Sequence, residues 1–155
     1  MTITIKDVEL GFDADSEEGL LILPENYYDK NDHRFHESSI SFYKYAKDKI
    51  NIDFIENPKV LLEQRSGEWF GPVILITSAA LSQSPQLLSI ATGVIANYLT
   101  DFFKGKSSPD VEVKIIYKDT PKSKFTEIHY KGDSNGLAQV NEAISKLSSG
   151  QKNDE

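Results

Sequence analysis

Residues 69 to 100 contain no Asp, Glu, Lys or Arg, although 26% of this 155-residue chain is charged. We expect such a segment to be largely buried, because charged side chains are rarely buried and this segment has none. Its apolar blocks, residues 73 to 81 and 87 to 103, are separated by the polar residues 82 to 86 (SQSPQ). A membrane-spanning helix needs about 18 or more consecutive apolar residues. The segment therefore predicts a core strand, a turn and a core helix, and no membrane span.

Length and composition limit the class of protein. A chain of 155 residues is typical of one domain, which we place at residues 1 to 147, before a short polar tail at 148 to 155 that we expect to be disordered. The net charge of -7 disfavours nucleic acid as the main partner. The absence of cysteine excludes disulfides and thiolate chemistry. The N-terminus has no basic start or long apolar run, so we predict a cytoplasmic protein.

Local patterns predict an α+β fold with the element order β-β-α-β-β-β-α-β-β-α. Residues 2 to 10 and 20 to 24 predict an N-terminal hairpin, and residues 111 to 117 and 125 to 131 predict a C-terminal hairpin. Two hairpins favour a largely antiparallel sheet, packed by about three helices. The other predicted elements are a helix from Ser38 or Ser39 to Ile50, strands at 51 to 56, 59 to 64 and 73 to 77, a long helix from Ser84 and Pro85 to about Phe103, and a final helix at 135 to 147.

The predicted long helix has two different faces. One half carries large apolar side chains and is expected to face the core. The other half carries small neutral residues, including Ser89, Gly93, Ala96 and Thr100, where an exposed helix usually carries Lys and Glu. Small residues let another backbone approach closely. This face is therefore expected either to bind a partner or a second copy of the chain, or to lie under another layer of the same fold.

The predicted loop at residues 65 to 72 holds the one tryptophan of the sequence. Arg65, Trp69 and Phe70 are residue types favoured at protein interfaces. If Trp69 and Phe70 are exposed, the loop suits a partner or ligand contact. If they are buried, they are aromatic side chains that fill space beneath the loop.

A polar segment offers the best candidate metal ligands. Asp29, Asp32, His33 and His36 combine carboxylates with imidazoles, which suits zinc, iron or manganese. Their spacing matches no established ligand pattern, and a solvated loop is the competing interpretation. A metal-binding protein or metal-dependent enzyme is therefore an alternative function.

Residues 73 to 144 combine an apolar strand, a charge-poor helix (PQLLSIATGVIANYLTDFFKG), the strands VEVKIIY and FTEIHYKG, and the helix LAQVNEAI. This layout resembles the effector-associated constant component domains of bacterial conflict systems. The resemblance implies a small non-enzymatic accessory module that couples components of a defence or signalling assembly, and it implies no catalytic residues.

No triad or nucleophile elbow can be identified in the sequence. We therefore predict an interaction or adaptor module without a cofactor, which binds a protein partner or forms a homo-oligomer. A small-ligand sensor, with an apolar pocket between sheet and helix, is a further alternative.

Overall fold

The computed structural model describes residues 2 to 14, 17 to 63, 68 to 105, 110 to 118, 124 to 133 and residue 136. These residues form an α+β fold, as predicted. The strands are β1 (Thr2–Val8), β2 (Leu20–Leu23), β3 (Arg34–His36), β4 (Ile52–Phe54), β5 (Val60–Leu62), β6 (Glu68–Ile76), β7 (Asp110–Tyr117) and β8 (Phe125–Gly132), and the helices are α1 (Ser38–Ala46), α2 (Ser78–Gln83) and α3 (Leu87–Phe102).

The strands build one mixed, mainly antiparallel sheet of six strands in the order β1-β8-β7-β6-β2-β4. The β6–β7 and β2–β4 pairs are parallel, and the other three pairs are antiparallel. Strands β3 and β5 form a separate parallel ribbon. The antiparallel pairing of β7 with β8 confirms the predicted C-terminal hairpin.

The predicted N-terminal hairpin is wrong. Strand β1 pairs with β8, with Ile5 opposite Ile128, whereas β2 pairs with β6, with Ile22 opposite Ile74. The burial of the two strands explains the separation. All four residues of β2 are buried, which suits an interior position, while β1 alternates exposed and half-buried residues, which suits an edge.

Both faces of the sheet are buried against other parts of the chain. On one face, Ile22, Ile74, Ile115 and Ile128 lie opposite one another across neighbouring strands and pack in the core cluster that contains the inner side chains of α1 and α3. On the other face, a smaller cluster forms around residues of β2, β6 and β7, and Ala14 and Tyr27 cover it. Alternating side chains of one strand therefore supply two cores.

The helix boundaries differ from the predicted ones. Helix α1 ends at Ala46 rather than near Ile50, and its N-cap is Glu37 rather than a serine. Helix α3 begins at Leu87, after the N-cap Gln86, and the short helix α2 was not predicted. Thr77 caps α2, since its hydroxyl accepts a hydrogen bond from the Ala80 backbone N–H at 3.3 Å.

The final helix predicted at 135 to 147 lies outside the described residues except for Gly136, and the disordered tail predicted at 148 to 155 lies wholly outside them. The single domain at residues 1 to 147 stays a prediction for the same reason. Among the described helices, none combines the length and the apolar character that crossing a bilayer requires.

Candidate functional site

The buried face of α3 explains how this helix is held. Its buried residues recur at helical spacing and include Leu88, Ile95, Tyr98 and Leu99, all of which belong to the main core cluster. The Tyr98 hydroxyl also donates a hydrogen bond to Ser41 Oγ of α1 at 2.9 Å. The inner face therefore fixes the rotation of the helix, and with it the direction of the opposite face.

The opposite face, which we call the α3 outer face, consists of Ser89, Gly93, Ala96 and Thr100. Ser89 and Thr100 are exposed, and Gly93 and Ala96 are half-buried. A Cβ atom placed on Gly93 would meet no atom of the described residues within 4 Å beyond the helix itself. Among the described residues, no second layer of the fold covers this face at Gly93.

Exposed apolar side chains lie at both ends of α3. Ile90 is 44% exposed near its start, and Phe102 is 37% exposed at its end. The one charged residue of the helix is Asp101, whose carboxylate accepts a hydrogen bond from the Tyr45 hydroxyl at 3.3 Å. Phe102 packs against Trp69 and Tyr98 on the inner side of the helix. Burying the α3 outer face in a contact would therefore bury no ion, and Ile90 beside it would add apolar surface.

Trp69 is not an exposed loop residue. It lies in β6, is 6% exposed, and packs with its ring centroid 5.5 Å from that of Phe102 and 5.7 Å from that of Phe103. The predicted loop at 65 to 72 is therefore wrong from residue 68 onward, because the strand extends through Gly71 and Pro72 by a register shift between Phe70 and Val73. Trp69 fills space under the end of α3.

The other two residues of the predicted contact loop are Phe70, which the structure describes, and Arg65, which it does not. Phe70 is half-buried on the other face of the sheet, where its ring stacks on the His36 imidazole at a centroid distance of 5.2 Å and an interplanar angle of 3°. Arg65 lies outside the described residues. The sequence grouped Arg65, Trp69 and Phe70 on one contact loop, but the structure directs Trp69 and Phe70 to opposite faces of the sheet.

Asp29, Asp32 and His33 line one small cavity of about 90 Å³ together with Glu56, whereas His36 lines a different groove. Asp32 pairs with Arg34 at 2.7 Å, His33 pairs with Glu56 at 2.5 Å, and His36 pairs with Glu25. Asp29 accepts a hydrogen bond from the backbone N–H of Asn31 at 2.9 Å. In the described part of the chain, no group of three or more His, Asp or Glu side chains is arranged to hold a metal ion.

The pairing of His36 with Glu25 forms a polar cluster that sequence analysis missed. Lys114 Nζ lies 3.5 Å from the other Glu25 carboxylate oxygen, so one carboxylate joins two bases from β3 and β7. The hydrogen bond from His36 lowers the pKa of Glu25 to about 2, against the opposing effect of burial, and the charges of His36 and Lys114 lower it further. No spacing rule relates these three positions, so only the tertiary structure could reveal the cluster.

This cluster borders a groove of about 610 Å³ between the β3–β5 ribbon and the sheet. Within the cluster, the Glu25 carboxylate is already paired with His36 and Lys114. Close by on the same sheet face, His129 Nε2 lies 2.8 Å from Glu112 Oε1. A carboxylate that is already bound by two bases is poorly suited to take a proton from a substrate, because its basicity is lowered. We therefore interpret the cluster as a structural link between the ribbon and the sheet.

A buried carboxylate, Glu127, lies on the same face of the sheet. Glu127 is buried and accepts a hydrogen bond of 2.6 Å from the Tyr27 hydroxyl, and Lys6 Nζ lies 3.7 Å from its other oxygen. Burial, and then the hydrogen bond to Glu127, raise the pKa of Tyr27 well above its usual range. The pair anchors the segment that covers the smaller core cluster.

Comparisons with known proteins identify no relative. The chain matches no protein-family model, no curated protein and no solved structure at a significant level. The functional argument therefore depends on the geometry of the chain itself.

Proposed function

We propose that this chain is a small non-enzymatic interaction module, which binds another protein chain through the α3 outer face. The observation that carries the proposal is the open space at Gly93 on a helix face without charge. The partner is a second copy of the chain or another component of the same assembly. In view of the layout at residues 73 to 144, we further propose a bacterial multi-component system of the defence type as the setting.

The fold itself does not require glycine at position 93. The described glycines with positive φ are Gly19 and Gly105, so Gly93 has a backbone conformation that any residue adopts. Among the described residues, no neighbouring atom would clash with its Cβ. Glycine inside a helix costs about 1 kcal/mol relative to alanine. A close approach by a partner backbone at this point would account for a residue that neither backbone conformation nor internal packing explains.

The composition of the surface suits a protein contact. Ile90, which follows Ser89 and is 44% exposed, supplies apolar area at one border of this face, and the exposed Ser89 and Thr100 supply small polar groups. The Thr100 hydroxyl already donates a hydrogen bond to the Ala96 carbonyl oxygen at 3.0 Å, so its proton would stay bonded in a dry contact. A contact here would need few new polar partners.

The test uses the variant Gly93→Leu. The substitution adds bulk in the middle of the α3 outer face without a clash inside the fold, so the free energy of unfolding should stay equal or rise by up to about 1 kcal/mol. Sedimentation equilibrium over a concentration series would measure the mass of wild type and variant. We expect a concentration-dependent dimer for wild type and a monomer for Gly93→Leu.

A matched control adds leucine at an exposed position of a different helix. Lys44→Leu places it on α1, away from the α3 outer face, and should leave the dimer intact. If wild type is a monomer, the same variants are compared for binding to the products of neighbouring genes. A Gly93→Leu variant that is folded and keeps every contact of wild type would overturn the proposal.

A further inference from the structure

A cavity of about 330 Å³ lies between the sheet and the helices α2 and α3. Its lining includes Ile90, which borders the α3 outer face, but none of the four residues of that face. Its apolar wall is formed by Leu20 at the start of β2, Ile50 before β4, and Leu87 and Ile90 in the first turn of α3. Pockets for small molecules begin at about 300 Å³ and are mostly apolar with a few polar groups. The cavity therefore has the size for a small metabolite.

Small residues keep this cavity open. Gly19 has a φ of 75°, and a Cβ there would lie 3.1 Å from Asn51 Nδ2, so a larger residue is disfavoured. Ala79 and Ala80 of α2 face the cavity with one methyl group each. In the part of the chain that the structure describes, no side chain of α2 is buried. Helix α2 thus covers the cavity without filling it.

Two residues of opposite charge, Glu18 and Lys49, line the rim of the cavity. Glu18 precedes Gly19, and Lys49 precedes Ile50. Lys49 Nζ lies 3.5 Å from the Tyr45 carbonyl oxygen and 4.1 Å from the centroid of the Tyr45 ring, contacts that leave its charge without a carboxylate. Among the described residues, Glu18 and Lys49 make no salt bridge with each other or with a third group. A ligand with both a carboxylate and an ammonium group would complement this rim, and an aliphatic chain would complement the wall.

We propose that the cavity binds a free aliphatic α-amino acid of the leucine, isoleucine or valine type. The carboxylate faces Lys49, the ammonium group faces Glu18, and the side chain lies between Leu20, Ile50 and Leu87. The inference gives a location and a ligand class to the small-ligand function that the sequence left as an alternative. It does not depend on the protein contact proposed for α3. A ligand of this size in a rim-exposed site is expected to bind with a dissociation constant on the order of 0.1 to 1 mM.

Isothermal titration calorimetry with L-leucine, together with its effect on the thermal unfolding midpoint, tests the proposal. Isoamylamine lacks the carboxylate, 4-methylpentanoate lacks the ammonium group and glycine lacks the chain. We expect each to bind about tenfold more weakly or worse than L-leucine. Failure of L-leucine to bind saturably at millimolar concentration would overturn the proposal, and so would equal affinity for 4-methylpentanoate.

Three variants locate the site. Lys49→Met and Glu18→Gln each remove one rim charge and keep the side-chain length, so each should weaken L-leucine binding about tenfold. Ala80→Leu fills the cavity from α2 and should abolish binding. Lys44→Met makes the same charge change on α1, outside the cavity, and should bind like wild type. Urea unfolding of each variant verifies the fold, and unchanged L-leucine binding by a folded Ala80→Leu variant would place any binding elsewhere and refute the site.

Discussion

The burial of Trp69 leads to a prediction that separates a core residue from an interface anchor. A tryptophan buries roughly 150 to 250 Å² on folding. At about 25 cal/mol per Å² of apolar surface, the middle of that range corresponds to about 5 kcal/mol. The ring also packs against Phe102 and Phe103, at centroid distances of 5.5 and 5.7 Å. We therefore expect Trp69→Ala to lower the free energy of unfolding by about 3 to 5 kcal/mol.

Urea unfolding followed by far-UV circular dichroism measures this loss. Circular dichroism is needed because the variant lacks the one tryptophan of the chain, and with it the usual fluorescence signal. The total free energy of unfolding of a domain is typically about 5 to 15 kcal/mol. A loss of about 3 to 5 kcal/mol is a large part of that total and can leave Trp69→Ala unfolded. Trp69→Phe keeps an aromatic ring in place and should lose about 1 to 2 kcal/mol while remaining folded.

The control is an aromatic residue that the structure leaves outside the core. Tyr28 is 62% exposed, and its hydroxyl donates a hydrogen bond to Asn26 Oδ1 at 2.9 Å. Tyr28→Ala should therefore cost less than about 1 kcal/mol. If Trp69→Ala costs no more than Tyr28→Ala, Trp69 does not fill the space beneath the end of α3 and the reasoning is refuted.

Two further predictions concern polar contacts. The folded-state pKa of Glu25, about 2 against 4.5 for the unfolded chain, means that its contribution to stability is present above pH 4.5 and is lost as the pH falls towards 2. At pH 3, chemical unfolding should show wild type losing about 2 kcal/mol more than Glu25→Gln, relative to pH 7, and parallel losses would contradict the pairing. Thr77 is buried, caps α2 and donates its hydroxyl proton to the Gly19 carbonyl oxygen at 2.8 Å. Thr77→Ala should cost about 1 to 2 kcal/mol, and Thr77→Ser should restore most of it; an equal loss in both variants would show that the hydroxyl contributes nothing.

The long-range pairing of strands was beyond sequence analysis. Local patterns correctly located β1, β2, β7 and β8: β1 has alternating residues, and β2 is a short apolar run bounded by Gly19 and Pro24. The prediction joined β1 to β2 since they are neighbours in sequence. The structure places β6 between β2 and β7, so pairing follows burial: the fully buried β2 takes an interior position. Such a preference acts through residues distant in sequence, which periodicity does not record.

Some features of the candidate site were also predictable from the sequence, and others depended on tertiary packing. The two faces of α3 follow from helical spacing alone, so the sequence indicated Ser89, Gly93, Ala96 and Thr100 as one surface. Whether another layer covered that surface depended on packing, which the open space at Gly93 addresses within the described residues. Trp69 was assigned to a loop because Gly67 and Gly71 flank it, yet strand pairing with Val111 overrides that local signal.

The sequence by itself determined the α+β class, the uncharged core segment and the unequal faces of α3, because these depend on residue type and short-range periodicity. The tertiary structure alone decided that Glu25, His36 and Lys114 meet, that Asp32 and His33 take other partners, and that a cavity forms beneath α2. These features join residues from distant parts of the chain. Their contacts arise only when the sheet order brings the segments together, since charge pairing and cavity shape depend on distances of a few ångströms.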